Sequence, residues 1–213
     1  MDEVSFRFFN PFAATLETRN RLHHWEQDGT LYFVTFRLAD SIPADVLHAW
    51  KSERNLWLAD HPKPWSPALE KEYHQRFSGC IERWLDAGHG SCVLRGESAR
   101  AEVMNALLHF DGTRCRMVSC IVMPNHVHAL FVLNPDWNLT TLIHSWKRHS
   151  AQKINPLLGR AGSLWQKDYF DRMIRDGHHF GNCIKYIRRN PTKAKLPVSD
   201  FTLFESELAK TVE

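Results

Sequence analysis

The chain has 213 residues, 43% of them apolar and 24% charged, which is ordinary globular usage and excludes a disordered, collagen-like or low-complexity protein. That length suits one compact domain, or one domain carrying a large insertion, rather than two large independent domains. The formal charge of +3 is uneven: residues 141–195 hold twelve Lys plus Arg against three Asp, or +9, and the remainder sums to −6.

In chain order, Thr30 to Leu38 is rich in β-branched and aromatic residues and predicts a strand. Ser41-Ile42-Pro43 opens a helix over Ala44 to Ala59, with Val46, Leu47, Trp50, Leu56 and Trp57 at helical spacing. His61 to Pro67 holds three prolines and predicts a loop. A helical period resumes from Ala68 to Ala87 and stops at Gly88-His89-Gly90, and Ser98 to Phe110 supplies a further helix. Arg114 to Met123 and Val127 to Leu133 are β-rich runs separated by Pro124-Asn125, a hairpin or bend. Leu139 to Ile154 predicts a basic amphipathic helix, Leu164 to Ile174 a strand pair or a strand with a turn, and His178 to Asn190 a final helix with Pro191 just beyond it. The order predicts an α+β fold, an antiparallel sheet with helices packed on it.

No stretch approaches the roughly 18 to 20 apolar residues that span a bilayer, and Met1 to Asn10 has no apolar leader run, so a cytoplasmic protein with no membrane partner is expected. The five cysteines, odd in number and without a C-x-x-C pair, suit reduced buried thiols.

His126-Val127-His128 opens a predicted strand. Alternation at period two puts both imidazoles on one face, where they can converge on a divalent ion. With thirteen His in the chain, about 0.8 such matches arise by chance, so the pair needs support from elsewhere. Tyr186 and Asn190, four apart on a helix, share a face, with Asn182 one turn earlier. An amide oxygen from Asn190 or Asn182 can be a third ligand, and a tyrosine beside it can attack a phosphodiester.

These residues resemble a known family. Met123-Pro124-Asn125-His126-Val127-His128, then Ser145-Trp146-Lys147-Arg148, Trp165-Gln166, Phe170-Asp171-Arg172, Ile174-Arg175-Asp176, and Tyr186-Ile187-x-x-Asn190-Pro191-x-Lys193-Ala194 are similar to the single-tyrosine HUH transposases, and within them to the REP-associated tyrosine transposases of bacteria. The ordered blocks cover about residues 120 to 196, with similarity also at Leu31 to Asp40 and Gly88 to Gly112. The resemblance implies a single HUH domain over 1–213 of ferredoxin-like or RRM-like α+β fold, with a helical insertion at about 61–90 and a tail at about 197–213. It implies His126, His128 and Asn190 as ligands of Mg²⁺ or Mn²⁺ and Tyr186 as the nucleophile. The activity implied is metal-dependent endonuclease and strand transfer on single-stranded or hairpin, palindromic (REP-like) DNA in transposition, through a 5′-phosphotyrosine and without ATP. A monomer is favoured over a homodimer, and a nucleoid-associated location follows from the DNA partner. Lys195 stands where the family pattern has a glycine, which questions the turn after the helix.

The basic block then has a task. Lys147, Arg148, Lys153, Arg188, Arg189 and Lys193 are expected to neutralise DNA phosphates; Trp146 or Trp165 could stack on an unpaired base, although each tryptophan taken singly reads as a core residue rather than a platform. His149, His178 and His179 are spare candidates for phosphate contacts or proton transfer. The competing readings are a DNA-binding regulator that retains the fold but cuts nothing, and a metal-stabilised RNA-binding domain.

Overall fold

The computed structural model describes residues 6–13, 16–19, 23–62 and 64–213. Residues 1–5, part of the stretch read above for a leader, and Lys63 of the proline loop lie outside the described residues. A short hairpin of β1 (Leu16–Arg19) and β2 (His23–Glu26) precedes β3 (Leu31–Arg37). Helices α1 (Ala44–Asp60), α2 (Pro67–Tyr73), α3 (Gly79–Asp86) and α4 (Glu97–Leu108) lead to β4 (Cys115–Val122) and β5 (His126–Leu133). Then come α5 (Leu139–Leu157), β6 (Phe170–Met173), α6 (Gly177–Lys193), β7 (Thr202–Glu205) and a single turn, α7 (Glu207–Lys210). Among the described residues no helix is long and apolar enough to cross a membrane.

Five strands pair antiparallel in the order β6-β3-β5-β4-β7. The series β3-α4-β4-β5-α5-β6 is a βαββαβ unit whose first and third strands lie at the centre, which is the ferredoxin-like arrangement expected from the sequence. To it the chain adds β7 at the β4 edge, and helices α1 to α3 between β3 and α4. The tail, read from sequence only as a tail, thus supplies an edge strand. The predicted strand pair at Leu164 to Ile174 reduces to β6 and one bridge from Trp165 to Leu38, because Lys167 to Tyr169 leave the ladder.

The sheet separates two cores. On one side α4 and α5 pack through Val103, Leu107, Leu142, Ile143, Trp146 and Ile154 onto the even-numbered side chains of β3 and the odd-numbered ones of β5. On the other, α6 packs through Phe180, Ile184 and Ile187 onto Leu31, Phe33, Leu130 and Val132. The inserted helices have their own small aromatic core of Trp57, Tyr73 and Phe77. Between α2 and α3 the continuous helix predicted for Ala68 to Ala87 is interrupted by one π turn, His74–Ser78, which carries Phe77 into that core. The helix ends as the glycines predict: Gly88 and Gly90 have φ of +70° and +87°, left-handed values that cost a side-chain-bearing residue about 1–2 kcal/mol. At Gly90 even a Cβ would clash with the Asp40 carbonyl oxygen.

Lys195 answers the question raised by the missing glycine. Its φ is +54°, so the turn that leaves α6 keeps left-handed geometry with a lysine in it. Lys195→Gly is therefore expected to raise unfolding stability by about 0.5–1 kcal/mol, read as a rise in urea midpoint at unchanged m-value; a fall would show that the lysine side chain outweighs the backbone strain.

Candidate active site

All eight residues of β5 are buried, so its alternation divides side chains between two interiors rather than between protein and water. Val127, Ala129, Phe131 and Leu133 enter the α4–α5 core, whereas His126 and His128 lie with Leu130 and Val132 in the layer covered by α6. The histidines are 1% and 2% exposed and their ring centroids are 4.7 Å apart.

Helix α6 starts at the Asp176 cap, whose carboxylate accepts from the His179 amide at 2.7 Å. Its apolar stripe of Phe180, Cys183, Ile184 and Ile187 sets its rotation on the sheet. That rotation brings the Tyr186 ring edge-on to His128 at 5.2 Å and to Phe33 at 5.8 Å, and buries Asn190 to 1%. Asn182, the alternative third ligand, is exposed and its amide contacts exposed His178 instead, so of the two asparagines Asn190 is the one at the site.

The polar atoms have defined partners on one side and none on the other. His128 Nδ1 meets Thr35 Oγ1 at 2.7 Å, a cross-strand pair made by the register of β3 on β5. His126 Nδ1 meets Asn125 Oδ1 at 2.7 Å. Asn190 Nδ2 donates to the Tyr186 carbonyl at 3.0 Å, which fixes the amide and leaves Oδ1 over. Asn190 Oδ1 and His128 Nε2 are both buried without a hydrogen-bond partner, an arrangement that costs about 1–3 kcal/mol per group unless something binds there. Among the described residues no group of three or more His, Cys, Asp or Glu could hold a metal ion, so a three-ligand site here needs the asparagine amide.

Electrostatics favour neutral rings. Burial, with Lys193 nearby, pushes His126 down to about 3. Burial, then His126, Arg172 and Lys193, hold His128 well below its ordinary value. Burial also raises the Tyr186 phenol, Glu82 adding to the rise, while the Asn190 side chain and Arg172 pull the other way. A cavity of about 270 Å³ lies against His126, bounded by Asp86, Gly88, Arg95, Asn125 and Lys195 among others.

The predicted phosphate-binding set divides. Lys147 is 8% exposed, and its ammonium donates to the carbonyls of Gln166, Lys167 and Asp168 at 3.0, 3.1 and 3.2 Å. Burial pushes it down to about 8, which still leaves mostly the charged, three-donor form at neutral pH. It is a structural cation, not a phosphate contact. Arg188 is likewise committed, to Glu205 at 2.7 Å, to the Ala209 carbonyl at 2.9 Å and to the Val212 carbonyl. Lys193 pairs with Asp86 at 2.8 Å and lies 3.8 Å from Glu82, joining α6 to α3. Arg148 and Lys153 are exposed, but α5 carries them on the layer across the sheet from the histidines. Arg189 is exposed on the tyrosine helix. Neither tryptophan can be a base platform: Trp146 is 1% exposed against Phe131, and Trp165 is 4% exposed against Phe36 with its indole N–H on Ser150.

Sequence reasoning assigned no role to Thr35, Glu82, Asp86 or Arg172. The β3–β5 register, which a strand prediction does not supply, places Thr35 opposite His128. Arg172 sits opposite Phe33 in the β3–β6 ladder, with its guanidinium 5.9 Å from that ring. It was legible only as part of a motif.

The ferredoxin-like sheet thus carries two histidines on a central strand, and the helix across them carries a tyrosine and an asparagine. Residues 99–190, from α4 through the tyrosine helix, match the family model described as "Transposase IS200 like", the kind of family the resemblance implied. No curated protein matches the chain. Among solved structures, a REP-associated tyrosine transposase bound to a REP hairpin is similar at 14% identity, covering 82% of this chain and 74% of that one with a TM-score of 0.45. A protein described as a transposase from Deinococcus radiodurans is similar at 12% identity, covering 87% and 98%, with a TM-score of 0.33.

Reassigning Lys147 makes an expectation that differs from the earlier one. Lys147→Met should lower stability by about 3 kcal/mol in denaturant, because three carbonyls lose their donor. The slope of log affinity against log salt for an oligonucleotide should stay at its wild-type value, whereas removal of a true phosphate contact lowers it by about one.

Proposed function

We propose that this chain is a divalent-metal-dependent, single-tyrosine DNA transposase that cleaves and rejoins single-stranded or hairpin DNA, with palindromic REP-like sequence as its substrate. The observation that carries the reading is the convergence of Tyr186, His126, His128 and Asn190 on one buried face, with His128 Nε2 and Asn190 Oδ1 left unpartnered. The match of residues 99–190 to the IS200-like transposase family model supports it.

The donor set suits a hard-to-borderline divalent ion: two neutral imidazoles and an amide oxygen, with both Nδ1 atoms already engaged by Asn125 and Thr35. His126, His128 and Asn190 would hold Mg²⁺ or Mn²⁺, the latter tolerating imidazole better. When bound, the ion supplies positive charge to the non-bridging oxygens of the scissile phosphate.

The chain's own residues do the rest. Packing against His128 and Phe33 restricts the Tyr186 ring, so its phenolic oxygen is presented from one direction. At an ordinary pKa near 10, ionising it at pH 7 costs about 4 kcal/mol, and burial raises that cost. The proton must therefore leave as the nucleophile approaches phosphorus. The Tyr186 oxygen forms the new P–O bond and the bond to the 3′ oxygen breaks. The phenol gives up one proton and the 3′ oxygen takes one, leaving a 5′-phosphotyrosine and a free 3′-hydroxyl. Because the phosphodiester is exchanged rather than hydrolysed, a second 3′-hydroxyl reverses the step and joins strands without ATP. Arg172, a half-buried cation 5.9 Å from the Phe33 ring, would take the phosphate-contact role that Lys147 cannot fill.

The test is incubation of the full chain with 5′- and 3′-labelled palindromic oligonucleotides and Mn²⁺ on denaturing gels. The 3′-side fragment should become protein-linked. Tyr186→Phe should form no adduct, and His126→Ala or Asn190→Ala should lose at least about 100-fold in cleavage rate while retaining hairpin binding. An undiminished adduct in Tyr186→Phe overturns the nucleophile; hairpin binding with no cleavage by the wild-type chain favours the non-cutting regulator.

A further inference from the structure

We infer that Asn125 is a positioning residue that sets the tautomer of His126, and that it takes its own orientation from the last turn of α3 in the inserted helices. The inference rests on the proposed metal reading only for its consequence, not for the tautomer itself.

Asn125 is 1% exposed and lies in the bend between β4 and β5. Its Nδ2 donates to the carbonyl oxygens of Leu85 and His89 at 3.2 and 3.3 Å. A carbonyl only accepts, so the amide cannot be turned over without aiming its own oxygen at both of them. Oδ1 is thereby directed at His126 Nδ1, at 2.7 Å. An amide oxygen also only accepts, so Nδ1 carries the hydrogen, and in the neutral ring the lone pair is on Nε2. Two carbonyls thus decide, through one amide, which nitrogen of His126 is free to ligate.

The carbonyls themselves are held. Leu85 is in the last turn of α3 and is 3% exposed. His89 lies between the two left-handed glycines, and Gly90 is pressed against Asp40, whose carboxylate accepts from the Ser91 amide at 2.8 Å. The end of β3, the end of α3 and the β4–β5 bend are therefore linked at this point. His128 has no such setting: the Thr35 hydroxyl that meets its Nδ1 can donate or accept. One ligand is preset and the other is free to follow what binds.

Long-range ¹H–¹⁵N correlation of the histidine rings in the metal-free, full-length chain reads the tautomer without any variant. The expected result for His126 is a protonated Nδ1 and an unprotonated Nε2; a protonated Nε2 overturns the inference. Titration with Mn²⁺ alone then reads the consequence. Asn125→Ala should weaken Mn²⁺ binding by about 10–100-fold. Asn125→Asp, which keeps the acceptor to His126 but loses the donors to α3, should bind Mn²⁺ more tightly than Asn125→Ala. Asn125→Ala binding as well as wild type overturns the positioning role. A wild-type chain with the expected tautomer but no Mn²⁺ binding overturns the metal reading of the site and leaves the tautomer assignment standing.

Discussion

The pairing of β3 with β5 at the centre of the sheet governs the rest of the structure. β5 is buried along its whole length, with a helical layer on each face. A strand in that position has no solvent side to which polar residues can be sent. A shift of register by one residue would put both histidines into the apolar core of α4 and α5, opposite Val103 and Trp146 rather than Tyr186. The register that avoids this also places Thr35 across from His128. The hydrogen bond that orients one imidazole is therefore made by the same pairing that builds the sheet.

Burying two imidazoles side by side fixes their charge state. Burial lowers the proton affinity of both rings, with Lys193 adding to the effect at His126 and His126, Arg172 and Lys193 adding to it at His128, so both are held neutral mainly by desolvation. His126, with its Nδ1 held to the Asn125 amide oxygen, keeps its lone pair on Nε2, whereas His128 Nε2 is buried with no hydrogen-bond partner, which is a cost. Asn190 adds a second one, for the same geometric reason: its NH₂ is used by the helix carbonyl four residues earlier. The site is consequently a place where two buried polar atoms, His128 Nε2 and Asn190 Oδ1, lie without a protein hydrogen-bond partner. The proposed cation would turn this cost into binding energy.

Charge along the chain proves a poor guide to where charge is available. Within the basic block, Lys147 closes a loop by donating to three carbonyls, Arg188 ties α6 to the tail, and Lys193 ties it to α3. These cations hold elements together, and their long-range partners were not visible in a local count of Lys and Arg. What was legible is the part that depends on local period: the alternation that puts His126 and His128 on one face, the four-residue spacing that puts Tyr186 above Asn190, and the glycines that end α3. What was not legible depends on contacts between distant segments. Asn125 reads in sequence as a bend residue, yet its partners lie at the end of α3 and in the turn that follows it; the local pattern left Trp146 open between core residue and base platform, and its packing on Phe131 makes it core. The tail was read as an appendage because its strand is only four residues long and gains stability from the β4 edge rather than from its own pattern.

The inserted helices acquire a role by the same reasoning. They have their own aromatic core, so they do not depend on the sheet for most of their burial. Yet their last turn reaches both halves of the site, the histidine strand through Asn125 and the tyrosine helix through Asp86 and Glu82. A segment that merely decorated the sheet would have no need to place two carbonyls and two carboxylates at that point. Its geometric effect is to hold the distance between β5 and the end of α6 from outside the sheet, where the β-ladder itself exerts no control over a helix lying across it. The separation of the two histidines on the strand is set by backbone pleat alone; the separation of strand from tyrosine is set by side-chain packing along α6 together with this external tie.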